Sequence, residues 1–233
     1  MKISFKYIGV IALVASVAAC KKDNYAEPTV ILSGKVVYQG EAIQLERNQV
    51  PLQIYQYGFG KVGPIGQTFA QDGSYSQVLF NGNYKIIVPN GQGPFLWKQT
   101  TAGNPDTVNV SLTGNKTLDL EVTPYYMIRS PQIAAASGVV TASFSAEKII
   151  TDANAKGIER VSLYINKDQY VSGGDNIARK DSSGAAVVAG ASITLSVAIP
   201  GMTPTQNYVY ARIGLKIAGL EDLIYSPLQK ISF

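Results

Sequence analysis

Residues 117–123 read TLDLEVT. Leu118, Leu120 and Val122 fall on one side of this run and Asp119 and Glu121 on the other, the period-two pattern of a strand with one buried face. The same pattern of short runs extends both ways along the chain. Upstream lie TVILSGKVVY, VPLQIYQYG, YSQVLF, NYKIIVP and TVNVSL; downstream lie GVVTASFSA, RVSLYINK, SITLSVAI, NYVYARIGLKI and LQKISF. Each is about as long as a globular strand, is rich in Val, Ile, Thr and Tyr, and is bounded by Gly, Pro, Asn or Asp. No long amphipathic helix interrupts them, and TDANAKGIE at 151–159 predicts at most a turn. The chain is therefore expected to be all-β.

Pro124 closes one strand and Pro131 follows the next short run, YYMIRS, so a boundary is expected between them. Roughly 100 residues lie on each side, the size of one β-sandwich. The expectation is two tandem sandwiches, 29–124 and 125–233, each burying its own core and folding without the other.

The first 20 residues, MKISFKYIGVIALVASVAAC, have the plan of a secretory signal peptide: Lys2 and Lys6, then an apolar run from Ile8 to Val17 that closes on small residues. That run is short for a membrane span, which needs roughly 20 apolar residues. Val17-Ala18-Ala19-Cys20 resembles the lipobox of bacterial lipoproteins, which implies that Cys20 is lipidated and anchors the chain in a membrane. Segment 21–28, KKDNYAEP, reads as a tether. Cys20 is the only cysteine, so no intrachain disulfide supports the fold.

Composition narrows the chemistry. With 20 Lys and Arg against 16 Asp and Glu the net charge is +4, or +2 once Lys2 and Lys6 are removed with the leader. The basic residues are scattered, so nucleic-acid binding is not indicated. There is no histidine, which excludes Ser-His-Asp and Cys-His nucleophiles and removes the commonest transition-metal ligand. No cofactor is expected.

Several motifs have plain readings. Gly58-Phe59-Gly60-Lys61-Val62-Gly63 fits G-x-G-x-x-G, but a nucleotide loop must open a helix, and Pro64-Ile65-Gly66 follows instead. A glycine-rich hairpin loop is expected there. Asp152-Ala153-Asn154-Ala155-Lys156-Gly157 begins like a calcium loop, yet Lys156 replaces an oxygen ligand and Leu163 stands in place of the bidentate glutamate. Asp168, Asp175 and Asp181 fall in NKDQYVSGGDNIARKDSSG, read as a long polar loop of solvated charges. Asp119 and Glu121 are spaced closely enough for a glycosidase pair but lie on the solvent face of a strand, without a cleft.

Trp97, the only tryptophan, stands in NGQGPFLWKQTTAGNP among glycine, proline and polar residues. An indole on a loop can stack on a sugar ring while amides bond its hydroxyls. Trp97, Phe95 and Gln99 are therefore the candidate ligand-binding residues. The competing reading has Phe95 and Trp97 capping the sandwich or packing against the second one, and Tyr125 and Tyr126 packing between the halves.

The first half resembles the carboxypeptidase-regulatory-like, transthyretin-like sandwich. The residues that carry the resemblance are Gly34-Lys35-Val36, Pro51-Leu52-Gln53-Ile54, Asp72-Gly73-Ser74-Tyr75 and Gly82-Asn83-Tyr84, with Asp72-Gly73 a hairpin turn by its own chemistry. In the second half, Met202-Thr203-Pro204-Thr205-Gln206-Asn207-Tyr208 resembles the tyrosine corner of immunoglobulin-like and fibronectin type III sandwiches. The tether, the Gly93-Pro94-Phe95 loop, VTPYY at 122–126 and ARIGLKIAGLEDLIYSPLQKI together resemble a Bacteroidetes lipoprotein family of unknown function, numbered 3823, often encoded beside SusC-like transporters and SusD-like glycan binders.

That resemblance implies a non-catalytic outer-membrane lipoprotein that binds polysaccharide or oligosaccharide or assists a SusC/SusD-like complex. The alternative is a spacer or docking subunit with no sugar binding of its own. A hydrolase using Asp119 and Glu121 is a distant third. Lys21-Lys22-Asp23 supplies one acid to the stretch that favours surface export in these bacteria, so a surface location is favoured and the periplasmic face stays open. Asp106-Thr107-Val108 resembles the O-glycosylation motif of the same phylum, and the sequence leaves open whether it is used.

Overall fold

A computed structural model describes residues 26–58, 63–101 and 103–233. The leader, Cys20 and most of the tether lie outside them, as do residues 59–62 of the glycine-rich loop. Among the described residues no helix is long and apolar enough to cross a membrane. Among the described residues the only helical element is a single 3-10 turn at Gly184–Ala186.

The first half is a sandwich of two sheets. In one, β1 (Val30–Tyr38) pairs antiparallel with β4 (Ser74–Leu79) and parallel with two short pieces, Lys116–Thr117 and Leu120–Glu121. In the other, β6 (Val108–Leu112), β5 (Gly82–Ile87), β2 (Pro51–Gln56) and β3 (Ile65–Thr68) lie side by side in that order, all antiparallel. Ile54 pairs with Ile65, so the glycine-rich loop joins a hairpin.

TLDLEVT forms the parallel strand in two pieces, and the break has a cause. Gly34 and Tyr75 are register partners, and the carbonyl of Leu118 passes so close that a Cβ on Gly34 would lie 1.9 Å from its oxygen. Tyr75 donates its hydroxyl to the same oxygen at 2.6 Å. Where the backbone ladder is interrupted, side chains replace it. Asn115 Oδ1 accepts from Ile31 N at 2.9 Å, Asp119 Oδ1 from Lys35 N at 2.9 Å and Glu121 Oε1 from Gln39 N at 2.6 Å. Leu120 and Val122 turn inward and are buried.

The Asp72-Gly73 turn forms as expected. Gly73 has φ of +75°, and its Cβ position lies 2.2 Å from the Ile43 carbonyl oxygen, so only glycine fits. Partial burial pushes the Asp72 carboxyl up, but hydrogen bonds from the Ser74 hydroxyl and amide and the charge of Lys35 outweigh it and hold it below the usual range.

The second half is also a sandwich. One sheet has the order β7 (Tyr126–Ala136), β8 (Val139–Lys148), β11 (Ser192–Ala198). The other runs β10 (Ala178–Ser183), β9 (Ile158–Asn166), β12 (Tyr208–Ile217), β13 (Leu223–Tyr225), with β14 (Gln229–Ser232) also on β12. Two readings change here. β7 does not stop before Pro131: the register shifts between Arg129 and Gln132, Ser130 takes φ of +49°, and this bulge admits the proline. The polar loop after Asn166 also contains a strand, β10, in which Asp181 pairs with Arg179 rather than standing free. Its polar composition suits an edge strand that is largely exposed.

Tyr208 does not form the expected tyrosine corner. By alternation Val209 points into the core, so Tyr208 faces outward, edge-on to Tyr210 at 5.8 Å and beneath Lys230 Nζ at 3.9 Å.

The expectation of two separate cores is likewise corrected. One continuous apolar cluster runs from Val30 and Leu32 through Trp97, Tyr125 and Tyr126 to Ile213 and Ile224. Polar groups cross the same joint. Arg212, on β12, is 1% exposed and donates to the carbonyls of Leu45 and Gln71 in the first half and of Ser226 and Val171 in the second, at 3.0–3.5 Å. Its guanidinium lies 4.4 Å from the Tyr225 ring, whose hydroxyl donates to Glu46 at 3.0 Å. Burial pulls the Arg212 pKa down to about 10, against the opposing pull of Tyr225 and Glu46.

Candidate functional site

The three candidate ligand residues come together, but mainly as wall. Phe95 belongs to the two-residue strand Phe95–Leu96, paired with Thr123–Pro124 at the joint, and is 4% exposed. Trp97 is 6% exposed and donates its indole N–H to the Asp106 carbonyl at 2.8 Å. A ring so enclosed offers no free face as broad as a pyranose, which corrects the stacking role assigned to Trp97 and Phe95. Gln99 is exposed, but its amide is engaged with Asn90 Oδ1 at 3.2 Å and Gly103 N at 3.0 Å. The three line a cavity of about 220 Å³ with Asn90, Gln92, Tyr125 and Lys156. That is below the roughly 300 Å³ at which small-molecule sites begin.

Tyr125 and Tyr126 pack at the joint as read from the sequence. Both are buried, and Tyr126 donates its hydroxyl to the Lys156 carbonyl at 2.9 Å. The loop carrying Phe95 is fixed from the other half: Asp222 Oδ2 accepts the Gly93 N–H at 2.7 Å. Burial pushes the Asp222 carboxyl above the usual carboxylate range, against the pull of that N–H. A carboxyl raised in the folded state stabilises the fold when protonated and loses that contribution as pH rises through the folded pKa. Asp222→Asn keeps an acceptor for Gly93 and removes the buried charge. Its melting temperature at pH 7 is expected to equal or exceed that of the parent, with the difference closing below about pH 4. Asp222→Ala leaves the N–H unpaired and is expected to cost about 1–3 kcal/mol. A thermal melt of both variants at the two pH values checks this.

Asp119 and Glu121, the possible hydrolytic pair, accept the N–H groups of Lys35 on β1 and of Gln39 just beyond its end. Thr107 is half-buried just before β6, its amide bonded to Asp106 Oδ1 at 2.8 Å, and the Asp106 carboxylate pairs with Lys98 at 3.1 Å.

A more open concavity lies on the outer face of the β6-β5-β2-β3 sheet. Strand alternation turns Leu52, Ile54, Tyr84, Ile86, Val110 and Leu112 into the core. The opposite face then carries polar and aromatic groups in rows. Tyr55 is the register partner of Lys85 and Lys85 of Asn109, while Asn83 lies opposite Ser111. Tyr57, just beyond the end of β2, is 53% exposed, with Lys85 Nζ 5.1 Å from its ring centroid. Tyr57, Asn83, Lys85, Asn109 and Ser111 line a space of about 330 Å³, and Tyr55 is oriented by a 2.9 Å bond from its hydroxyl to Gln53 Oε1. The sequence signal for this face was the alternation of Gln53, Tyr55 and Tyr57, which carries little weight until β5 and β6 supply amides beside it.

Comparison with known proteins agrees with the two-part architecture. Residues 30–123 match the N-terminal domain model of a protein family of unknown function, DUF3823, and residues 126–230 match the DUF3823 C-terminal domain of unknown function. A DUF3823 family protein from Parabacteroides merdae has a similar structure, with a TM-score of 0.77 and 36% identity over 89% of this chain and 100% of that one. A DUF3823 family protein from Bacteroides ovatus gives a TM-score of 0.77 and 29% identity over 88% and 99%. A Bacteroides uniformis protein described as a candidate carbohydrate binding protein shares the fold, with a TM-score of 0.66 and 18% identity over 89% and 100%. No curated protein matches the chain. With both family models in sequence along one chain and a relative of the same family covered end to end, the protein belongs to DUF3823.

Proposed function

We propose that the protein is a non-catalytic, lipid-anchored outer-membrane protein that binds glycan as an accessory of a polysaccharide-uptake system. The observation that carries the proposal is the outer face of the β6-β5-β2-β3 sheet. There an exposed tyrosine ring, two asparagine amides, a serine hydroxyl and a lysine share one concavity. An aromatic face receives the apolar side of a pyranose and the amides exchange hydrogen bonds with its hydroxyls, which needs no moving part and no acid-base pair. The acids closest to a glycosidase spacing are occupied with backbone, in keeping with binding rather than hydrolysis. Val17-Ala18-Ala19-Cys20 supports lipidation at Cys20, which lies outside the described residues. The description of the Bacteroides uniformis protein of the same fold supports the ligand class. SusC-like and SusD-like proteins are the partners that such an accessory would meet.

The test is affinity electrophoresis of residues 21–233 against plant, host and microbial polysaccharides. Retardation by at least one glycan is expected. Tyr57→Ala should weaken it roughly five- to tenfold, since a stacked ring contributes on the order of 1 kcal/mol, without lowering the melting temperature. Binding that survives Tyr57→Ala unchanged would move the site elsewhere. No binding by any glycan would favour a docking subunit, for which co-purification from detergent-solubilised membranes is the next measurement.

A further inference from the structure

The concavity on the outer sheet face holds a charge imbalance. Lys85 projects from the middle strand, between Tyr55 on one side and Asn109 on the other. Its ammonium lies over the Tyr57 ring, and it belongs to none of the ion pairs formed among the described residues by Lys35, Lys98, Arg129, Arg160 or Arg179. None of the described residues lining the concavity is acidic. A half-exposed ammonium among neutral donors and acceptors can form a charge-assisted hydrogen bond with a ligand that brings the counter-charge itself.

We propose that this face selects an acidic glycan, with the carboxylate of a uronic acid residue on Lys85 Nζ, its ring against Tyr57 and its hydroxyls on Asn83, Asn109 and Ser111. The proposal rests on the glycan-binding reading above and names the class of sugar. The distribution of roles follows from geometry. Lys85 and Tyr57 are already in contact, so one sugar unit can meet both, and Asn83 and Ser111 lie one row along the sheet, within reach of the same or the next unit. Because Lys85 is half-exposed, its attraction is screened by salt, and the complex should weaken as ionic strength rises.

The experiment uses residues 21–233 and a panel of uronate polymers (polygalacturonate, alginate, hyaluronate and glucuronoxylan), each beside its carboxyl-reduced form, in which the same backbone has lost its charge. Heparin supplies sulfate as a different anion. Binding to at least one uronate polymer is expected, falling at least tenfold on carboxyl reduction and at least tenfold in Lys85→Gln. Lys230→Gln, which removes a cation beside Tyr208 and Tyr210 on the other sandwich, serves as the control and should leave binding unchanged. Binding of neutral or carboxyl-reduced glycan that is lost in Tyr57→Ala but kept in Lys85→Gln would overturn the acidic selectivity and leave the glycan-binding function standing. Equal loss of heparin and uronate binding in Lys85→Gln would reduce the site to a general anion contact and overturn the uronate assignment. Absence of binding to every glycan, neutral ones included, would remove both readings.

Discussion

Replacing Arg212 with alanine is expected to lower the stability of the whole chain by about 3–5 kcal/mol, because a large buried side chain and the donor to buried carbonyls are lost together. Three costs combine. The carbonyls of Leu45 and Ser226 lose a charged donor in a buried site, the Tyr225 ring loses the guanidinium at 4.4 Å, and the stem leaves a void. At about 2–4 °C per kcal/mol for a chain of this size, the melting temperature should fall by roughly 10 °C. Arg212→Lys keeps the charge but presents three donors from one point instead of a planar fork, so it is expected to lose about half as much. Arg212 reaches backbone on both sides of the joint, so probes in the two sandwiches should report the same lowered transition. A fall of less than about 2 °C, or a fall seen by the second sandwich alone, would contradict the role assigned to this side chain.

Trp97→Ala is expected to cost a similar amount, about 3–5 kcal/mol, because a buried aromatic side chain is deleted and the Asp106 carbonyl loses its indole donor. Trp97→Phe keeps most of the packing and should recover more than half of the loss. This matters for any binding study, since a Trp97→Ala protein that fails to bind glycan would first have to be shown folded by its melting curve. If Trp97→Ala melts as the parent does yet loses glycan binding, the side chain belongs to a ligand site after all and the sheet face does not carry the function alone.

The contrast between Trp97 and Tyr57 shows what was legible in the sequence. Strand-forming runs were plain because their alternation is local, and so were the Asp72-Gly73 turn and the all-β class. Trp97 read as a loop residue open to two roles, stacking on a sugar or packing within the protein, because its immediate neighbours are glycine, proline and amides, and its burial agrees with the packing role. Its burial comes from Thr123–Pro124 pairing with Phe95–Leu96 and from the second half closing over them, contacts between residues far apart in the chain. Tyr57 read as one more strand residue, and its significance depends on Lys85, Asn83 and Asn109 arriving from two other strands. The independence of the two halves was misjudged for a related reason. Arg212 sits in ARIGLKI as an ordinary polar interruption, and its four carbonyl partners are spread over residues 45–226. The strand at 178–183 escaped notice because an edge strand exposed along most of its length needs no apolar residues to mark it.

The side chains of Asn115, Asp119 and Glu121, bonded to the backbone of β1 and of Gln39 just beyond it, make residues 115–123 a segment that proofreads its own alignment. A slip of one residue would turn Leu120 and Val122 to water and, in the same movement, carry three acceptors away from Ile31, Lys35 and Gln39. Hydrophobic and polar penalties thus fall on the same mistake. A strand that lacks acceptors at these three positions cannot reproduce the match.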